Sequence, residues 1–352
     1  MAKYLISLDL GSQNIQIIYG RYNKGNIEIR NAVTAPIPEE VYKDGRIEDL
    51  DMMKQSIRDL ITANKIKEKR TALTIQSTSI ITRDIMLPAT ERQHLDNMVK
   101  YEIEQYLPIV ATEYIIDYSV LDEIDEDGIR KYRIHVAAIP KNMVEQYLSL
   151  VKGIGLKPIA LDIHSNAAAK LFSQNASING EDLDISKTLA YIDFGYRSIS
   201  IHILSKGKLE FSRMINLGAR EMDEEISITC NLSLSQAEKK KIQEADLNPE
   251  DYNELMADSF HDIIRSQTDI WLAEIQKVFQ YYISRTTGNH IEGIYLYGGG
   301  SRLKGLDKYV EQALNLRTRN IDNLAIIKTA VSTSYFNPRD YINALGALIR
   351  YE

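Results

Sequence analysis

The chain has 352 residues, 44% hydrophobic and 26% charged, which calls for two globular domains or one large one and excludes a disordered, fibrous or low-complexity protein. Acidic residues outnumber basic ones by 49 to 42, and no basic tract is long enough to grip a phosphate backbone, so nucleic acid is not the expected partner. The single cysteine, Cys230, excludes an intrachain disulfide and a multi-thiolate metal site; the acidic turn at Asp9 precludes a signal-peptide core, and no apolar run reaches spanning length, so the expected location is cytoplasmic.

In chain order, Ile6–Tyr19 alternates apolar and polar residues, breaks at Asp9-Leu10-Gly11-Ser12-Gln13-Asn14, then resumes alternation: strand, tight turn, strand. From Asp84 to Gly153 the pattern predicts a small inserted α/β subdomain. Its parts are an amphipathic helix over Glu91–Tyr106 with Leu95, Met98, Val99, Ile103 and Tyr106 at helical spacing and Pro108 at its end, two strands around Asp125-Glu126-Asp127-Gly128, and a helix from Lys141 that stops at Gly153. The apolar stripe of the first helix is most simply the cover of its own hairpin.

Ala190–Leu204 repeats the opening plan about half a chain later, with Asp193-Phe194-Gly195 in the turn. Such a turn points successive backbone N–H groups into one concavity, a seat for phosphate oxygens, and its aspartate stands where a phosphate-bound divalent cation takes carboxylate oxygen or water. A lone Asp-x-Gly is explained by turn propensity; two copies facing each other would clamp a phosphate chain. A third cluster, Gly298-Gly299-Gly300 between an apolar strand and a helix, lets backbone approach a ring or ribose. Neither a dinucleotide-binding G-x-G-x-x-G after the first strand nor a G-x-x-x-x-G-K-[ST] loop occurs. His135, His164 and His202 lack partners at ligand spacing and read as core or surface residues. Trp271, Leu272, Ile275, Val278 and Phe279 form a core stripe; Asp223-Glu224-Glu225 and Lys239-Lys240-Lys241 read as solvated helix faces, the lysines reaching toward any adenosine.

The paired hairpins and late glycine cluster resemble the motifs of the superfamily of actin, heat-shock chaperones and sugar kinases. Leu87-Pro88, Tyr101–Pro108, Ala137–Lys141, Gly155–Pro158 with Leu161-Asp162, Leu232–Glu238, Ala273–Gln276 with Tyr281-Tyr282, and Asn343–Leu348 resemble the PilM family of type IV pilus proteins. The resemblance implies an actin-like α/β fold of two RNase H-like lobes. The first lobe is expected over residues 1–83 and 154–186, with residues 340–352 returning to it, and the second over 187–215 and 290–339. Residues 84–153 and 216–289 are the expected insertions.

By the same resemblance the cleft takes ATP and Mg²⁺. Asp9, Gly11, Ser12, Gln13 and Asn14 would hold phosphates from one side, Asp193, Gly195 and Arg197 from the other; Gly298, Gly299, Gly300 and Arg302 would line the adenosine side, and Asp9 and Asp193 would stand beside the metal. The sequence departs from the family at Gln16, where a lysine is common, and at Tyr196 and Arg197, where small residues are usual. Arg197 either adds a phosphate contact or fills an empty cleft. The implied partners are a PilN-like single-span inner-membrane protein, whose cytoplasmic start would lie in a groove of the inserted subdomain, and other pilus components such as the assembly ATPase. That places the chain in the cytoplasm at the inner face of the membrane. The rival readings are an FtsA-like polymerising protein and a sugar or acetate kinase; no segment reads as the kinase's second substrate pocket.

Overall fold

The computed structural model describes residues 3–106, 110–126, 128–248, 259–285, 288–329 and 336–350. The helix stop at Pro108, Asp127 of the acidic turn, and parts of the expected ranges 1–83, 216–289, 290–339 and 340–352 lie outside that set.

The first lobe opens with β1 (Leu5–Leu10), β2 (Asn14–Asn23) and β3 (Asn26–Pro36), an antiparallel meander. The short strands β4 (Tyr42–Lys43) and β5 (Arg46–Ile47) lead to α1 (Leu50–Ala63), whose first turn is capped by the Asp49 carboxylate accepting from the amides of Asp51 and Met52. Strand β6 (Arg70–Ile75) then runs parallel to β1.

The inserted unit holds β7 (Ile81–Pro88), α2 (Arg92–Tyr106), β8 (Tyr114–Glu126) and β9 (Ile129–Pro140), with its sheet in the order β7-β9-β8. Leu95, Val99 and Ile103 of α2 are buried against Leu87, Ile134 and Val136, so the apolar stripe does cover its own sheet. The chain continues through α3 (Lys141–Gly153), β10 (Lys157–Ile163), α4 (His164–Gln174) and the two-residue strands β11 (Ser177–Ile178) and β12 (Glu181–Asp182).

The second lobe repeats the meander as β13 (Thr188–Phe194), β14 (Ile199–Ser205) and β15 (Lys208–Ile215). Helices α5 (Ala219–Cys230), α6 (Leu234–Glu244) and α7 (Ser259–Arg285) follow, then β16 (Gly293–Tyr297) parallel to β13, α8 (Leu306–Leu314), β17 (Thr318–Asn320), β18 (Ile327–Thr329) and α9 (Ile342–Leu348).

Side-chain alternation decides what each face does. Ile6, Leu8 and Leu10 of β1 pack under Met53 and Ile57 of α1 and Tyr147 and Leu150 of α3. Ala190, Ile192 and Phe194 of β13 likewise pack with Ile226, Trp271 and Ile275. The opposite faces of the two strands meet in one shared core of Leu5, Leu189, Tyr191, Phe172 and Leu345, where Phe172 and Tyr191 stack with ring centroids 3.8 Å apart. Asp9 and Asp193 have the parity of that shared face, so the strand period alone turns both carboxylates toward the other lobe.

Four features differ from the sequence reading. The inserted sheet begins at Ile81 rather than Asp84, because β7 pairs along its whole length with β9. Helix α3 belongs to the first lobe's core, since Met143, Tyr147, Leu150 and Val151 are buried there. Residues 327–329, allotted to the second lobe, extend the first lobe's sheet by pairing parallel to β3, and the stretch 216–289 is no separate insertion, because Met222, Ile226, Ala237 and Trp271 share the core of the second sheet.

Candidate functional site

Each meander turns by the same geometry. The Gly11 amide donates to Asn14 O at 3.0 Å and the Gly195 amide to Ser198 O at 3.0 Å, closing four-residue turns between paired strands. The second turn is held further by α5, whose Ala219 and Arg220 amides donate to Gly195 O and Tyr196 O. That contact fixes the bulky Tyr196-Arg197 pair in place.

The two turns face each other across a cleft of about 1220 Å³, above the ~300–1,000 Å³ of ordinary small-molecule sites. All twelve residues singled out from the sequence line it: Asp9, Gly11, Ser12, Gln13 and Asn14 from the first lobe, Asp193, Gly195, Arg197, Gly298, Gly299, Gly300 and Arg302 from the second. The turns touch directly: the Arg197 amide donates to Ser12 Oγ at 3.2 Å, and Gln13 Nε2 donates to Glu238 Oε1 of α6 at 2.6 Å.

On the cleft floor Asp9, 2% exposed, accepts from Thr74 Oγ1 at 2.9 Å and faces His164 Nε2 at 2.8 Å. His164 Nδ1 lies 2.8 Å from Gln76 Oε1, while Gln76 Nε2 donates across the lobes to Ser200 Oγ. Nε2 thus faces the Asp9 carboxylate, while Nδ1 lies between the Gln76 oxygen and the Asn343 side-chain amide, 3.2 Å away. Burial pulls the His164 pKa down, but the charge and hydrogen bond of Asp9 outweigh it and leave it raised. Asp193 is pushed up to about 6, first by burial and further by Asp9, against the lowering effect of His164. Asn343, at the start of α9, donates to Asp193 Oδ2 at 3.4 Å.

Several buried polar atoms here have no hydrogen-bond partner: Arg197 Nε, Tyr297 OH and Asn343 Oδ1. Buried polar groups are paired as a rule, so orphans gathered at one cleft mark a place for a polar ligand. Arg302 differs from Arg197, because its guanidinium is bound by Asp340, with Nε 3.1 Å from Oδ1.

The glycine cluster has another reason than the one the sequence offered. Gly298 has a φ of +83°, and a side chain there or at Gly300 would run into Asp193 and the Phe194 backbone. Only Gly299 faces open space. Two of the three glycines therefore let the turn lie against the end of β13, and one leaves room on the cleft side.

Sequence reasoning missed His164, Gln76, Asn343 and Glu238. His164 lines the cleft: it is 7% exposed and sits between Asp9 and the side chain of Gln76. The available signal was its place just after a parallel strand, at the carboxyl end where α/β sheets bind ligands. Asp223 is no solvated residue either: it is fully buried and ion-paired to Lys241 at 2.6 Å, and burial raises its pKa to about 6 despite that lysine. His202 is a core histidine bonded to Ser212 Oγ, and His135 pairs with Asp84 at 2.6 Å.

A family model described as type IV pilus assembly protein PilM matches residues 7–340. A chain of a solved PilM–PilN type IV pilus biogenesis complex superposes with a TM-score of 0.82 at 20% identity, covering 98% of this chain and 97% of that one. The ethanolamine utilization protein EutJ of Carboxydothermus hydrogenoformans gives 0.57 at 14% identity over 98% and 89% of the two chains, and MreB5 of Spiroplasma citri bound to AMPPNP gives 0.53 at 13% over 91% of each. The fold is actin-like. Cell division protein FtsA of Bacillus subtilis is 24% identical over 266 residues, 68% of this chain and 57% of that protein, so the chain spans little more than half the length of the curated relatives it matches.

Proposed function

Starting from a chain that belongs to the family of type IV pilus assembly protein PilM, we propose a cytoplasmic ATP-binding scaffold that docks the cytoplasmic start of a PilN-like inner-membrane protein on its inserted unit. The observation that carries the nucleotide half is the convergence of two equivalent turns, one from each lobe, on a cleft where Arg197 Nε is buried without an acceptor. A phosphate chain supplies that acceptor and more. The Ser12 and Gln13 amides and the Ser12 hydroxyl would donate from one side and the Arg197 guanidinium from the other, while the Gly11 and Gly195 amides, spent on closing the turns, let the backbone come close. Gly299 leaves the second lobe open to a nucleoside, and Glu238 and Lys241 of α6 line the same cleft.

Asp9 and Asp193 fit a place beside Mg²⁺, because both carboxylates line the cleft, the charge of Asp9 acts on Asp193, and the second oxygen of Asp9 is left for a hard cation or its water. Among the described residues no three acidic, histidine or cysteine side chains stand together as a metal site, so the ion would rely on phosphate oxygens and water for its remaining ligands. When bound, it would supply charge neutralisation. The chain's own residues orient it: Thr74 and His164 fix one oxygen of Asp9, and Asn343 steadies Asp193.

No helix among the described residues is long and apolar enough to cross a membrane, which fits recruitment by a partner. The partner half rests on the likeness to the chain solved with PilN. Titration of a fluorescent ATP analogue with Mg²⁺ tests the site: Asp9→Asn lowers affinity at least tenfold, about 1.4 kcal/mol, and unchanged affinity refutes the assignment. Retention of the chain by an immobilised peptide from the start of the PilN-like protein tests the docking, and no retention refutes it. The FtsA likeness keeps a filament-forming reading in play, for which pelleting with Mg-ATP is the discriminating result.

A further inference from the structure

The inserted unit is covalently joined to the first lobe alone, since β7 follows β6 and α3 leads into β10. Yet it also grips the second lobe. Arg133 of β9 donates from Nη2 to Asp122 Oδ2 of β8 at 2.6 Å and to Glu210 Oε1 of β15 at 2.8 Å, and its Nη1 meets the other Glu210 oxygen. Lys208 of β15 reaches back to Asp122 and to Leu121 O, the latter at 3.2 Å.

Both strands are deformed where they meet. In β8 the pairing passes from Val120↔Ile134 to Asp122↔Arg133, leaving Leu121 as an extra residue; in β15 it passes from Ile203↔Phe211 to Leu204↔Leu209, leaving Glu210 extra. Bulges of this kind re-aim side chains and free ladder groups. Here one frees the Leu121 carbonyl for Lys208, and the other aims Glu210 at Arg133.

Isolated exposed ion pairs contribute little, but this one is forked and shared among four side chains, of which Arg133, Asp122 and Glu210 are shielded at 19%, 28% and 26% exposed and Lys208 is half exposed. Burial pushes the Asp122 carboxyl up, and Lys208 and Arg133 more than reverse it. On the cleft side the lobes are joined by the separate bonds Gln13–Glu238, Ser12–Arg197 and Gln76–Ser200.

We propose that the quartet Arg133–Asp122–Glu210–Lys208 is a strut that makes the inserted unit follow the second lobe, with Arg133 and Glu210 as positioning residues that couple the cleft to the partner groove. What drives and reads that motion, nucleotide and peptide, rests on the function proposed above; the strut itself does not.

The full chain is tested as wild type, Glu210→Gln, Arg133→Met and the control Glu123→Gln, which breaks the Arg130–Glu123 pair inside the inserted unit. Without ligand, amide exchange over 114–126 and 208–215 rises at least tenfold in the first two variants and is unchanged in the control. The ratio of the peptide's Kd without and with Mg-ATP differs from one by at least threefold in wild type and the control, and falls to one in Glu210→Gln and Arg133→Met. Unchanged exchange in those two variants, a wild-type ratio of one, or a wild-type-like ratio in a variant that has lost protection overturns the proposal. Failure of wild type to bind either ligand overturns the functional reading instead, and the exchange result alone then decides whether the strut exists.

Discussion

Replacing Asp193 by asparagine tests the electrostatics of the cleft floor without any ligand. The carboxyl is raised to about 6 from an ordinary 3.8, chiefly by burial. A group whose pKa is raised on folding favours the folded state below the unfolded value, and that advantage is lost as pH rises through the folded value. The two values give a cost of about 3 kcal/mol at pH 8, falling to about 0.5 kcal/mol at pH 4. The asparagine side chain mimics the neutral acid, so Asp193→Asn is more stable than wild type by about 3 kcal/mol at pH 8 and nearly equal to it at pH 4. For a chain of 352 residues that gap moves Tm by about 4 °C. Thermal scans of both proteins in magnesium-free, nucleotide-free buffer at pH 4, 6 and 8 read it directly. A gap independent of pH, or a variant less stable at pH 8, refutes the view that His164 and Asn343 leave the desolvated Asp193 carboxylate only partly compensated.

Arg197→Ala weakens the ATP analogue by about 10- to 100-fold, the loss of a charged hydrogen-bonding group worth ~1.5–3 kcal/mol, while leaving the ligand-free Tm unchanged or slightly higher because Nε has no acceptor to lose. Calorimetric titration beside a thermal scan checks both halves. Gly346→Ala places a Cβ into the Ala167 carbonyl where α4 and α9 cross, so overpacking costs about 3 kcal/mol, read as a Tm lowered by several degrees; the same strain shifts His164 and Asn343, and nucleotide affinity falls with it.

Local signals carried much of this architecture. The alternation of Ile15, Ile17 and of Ile199, Ile201, interrupted each time by an aspartate and glycine, named both hairpins and put Asp9 and Asp193 at matching positions. Gly298–Gly300 was visible as a cluster, although its physical cause, close approach to Phe194, lies a hundred residues away in sequence. What stayed hidden depends on non-local pairing. Nothing near Ile327 says it will lie beside β3, and nothing near Tyr147 says that α3 leaves its own hairpin to fill the first lobe. His164, Gln76 and Asn343 carry no motif of their own and become a site only when the start of α4, the end of β6 and the start of α9 are brought together.

The closure of the first lobe has a temporal side. Ser7 Oγ donates to Ala344 O at 2.6 Å, and β18 and α9 supply one edge and one cover of the sheet that β1 begins. The ribosome delivers those pieces roughly 320 residues after β1 itself. Until then the nascent sheet has a bare edge and a greasy underside, the state in which chains stick to one another. Folding of the first lobe is consequently expected to wait for the end of synthesis, and deleting the α9 segment is expected to raise the fraction of the expressed chain found in the pellet.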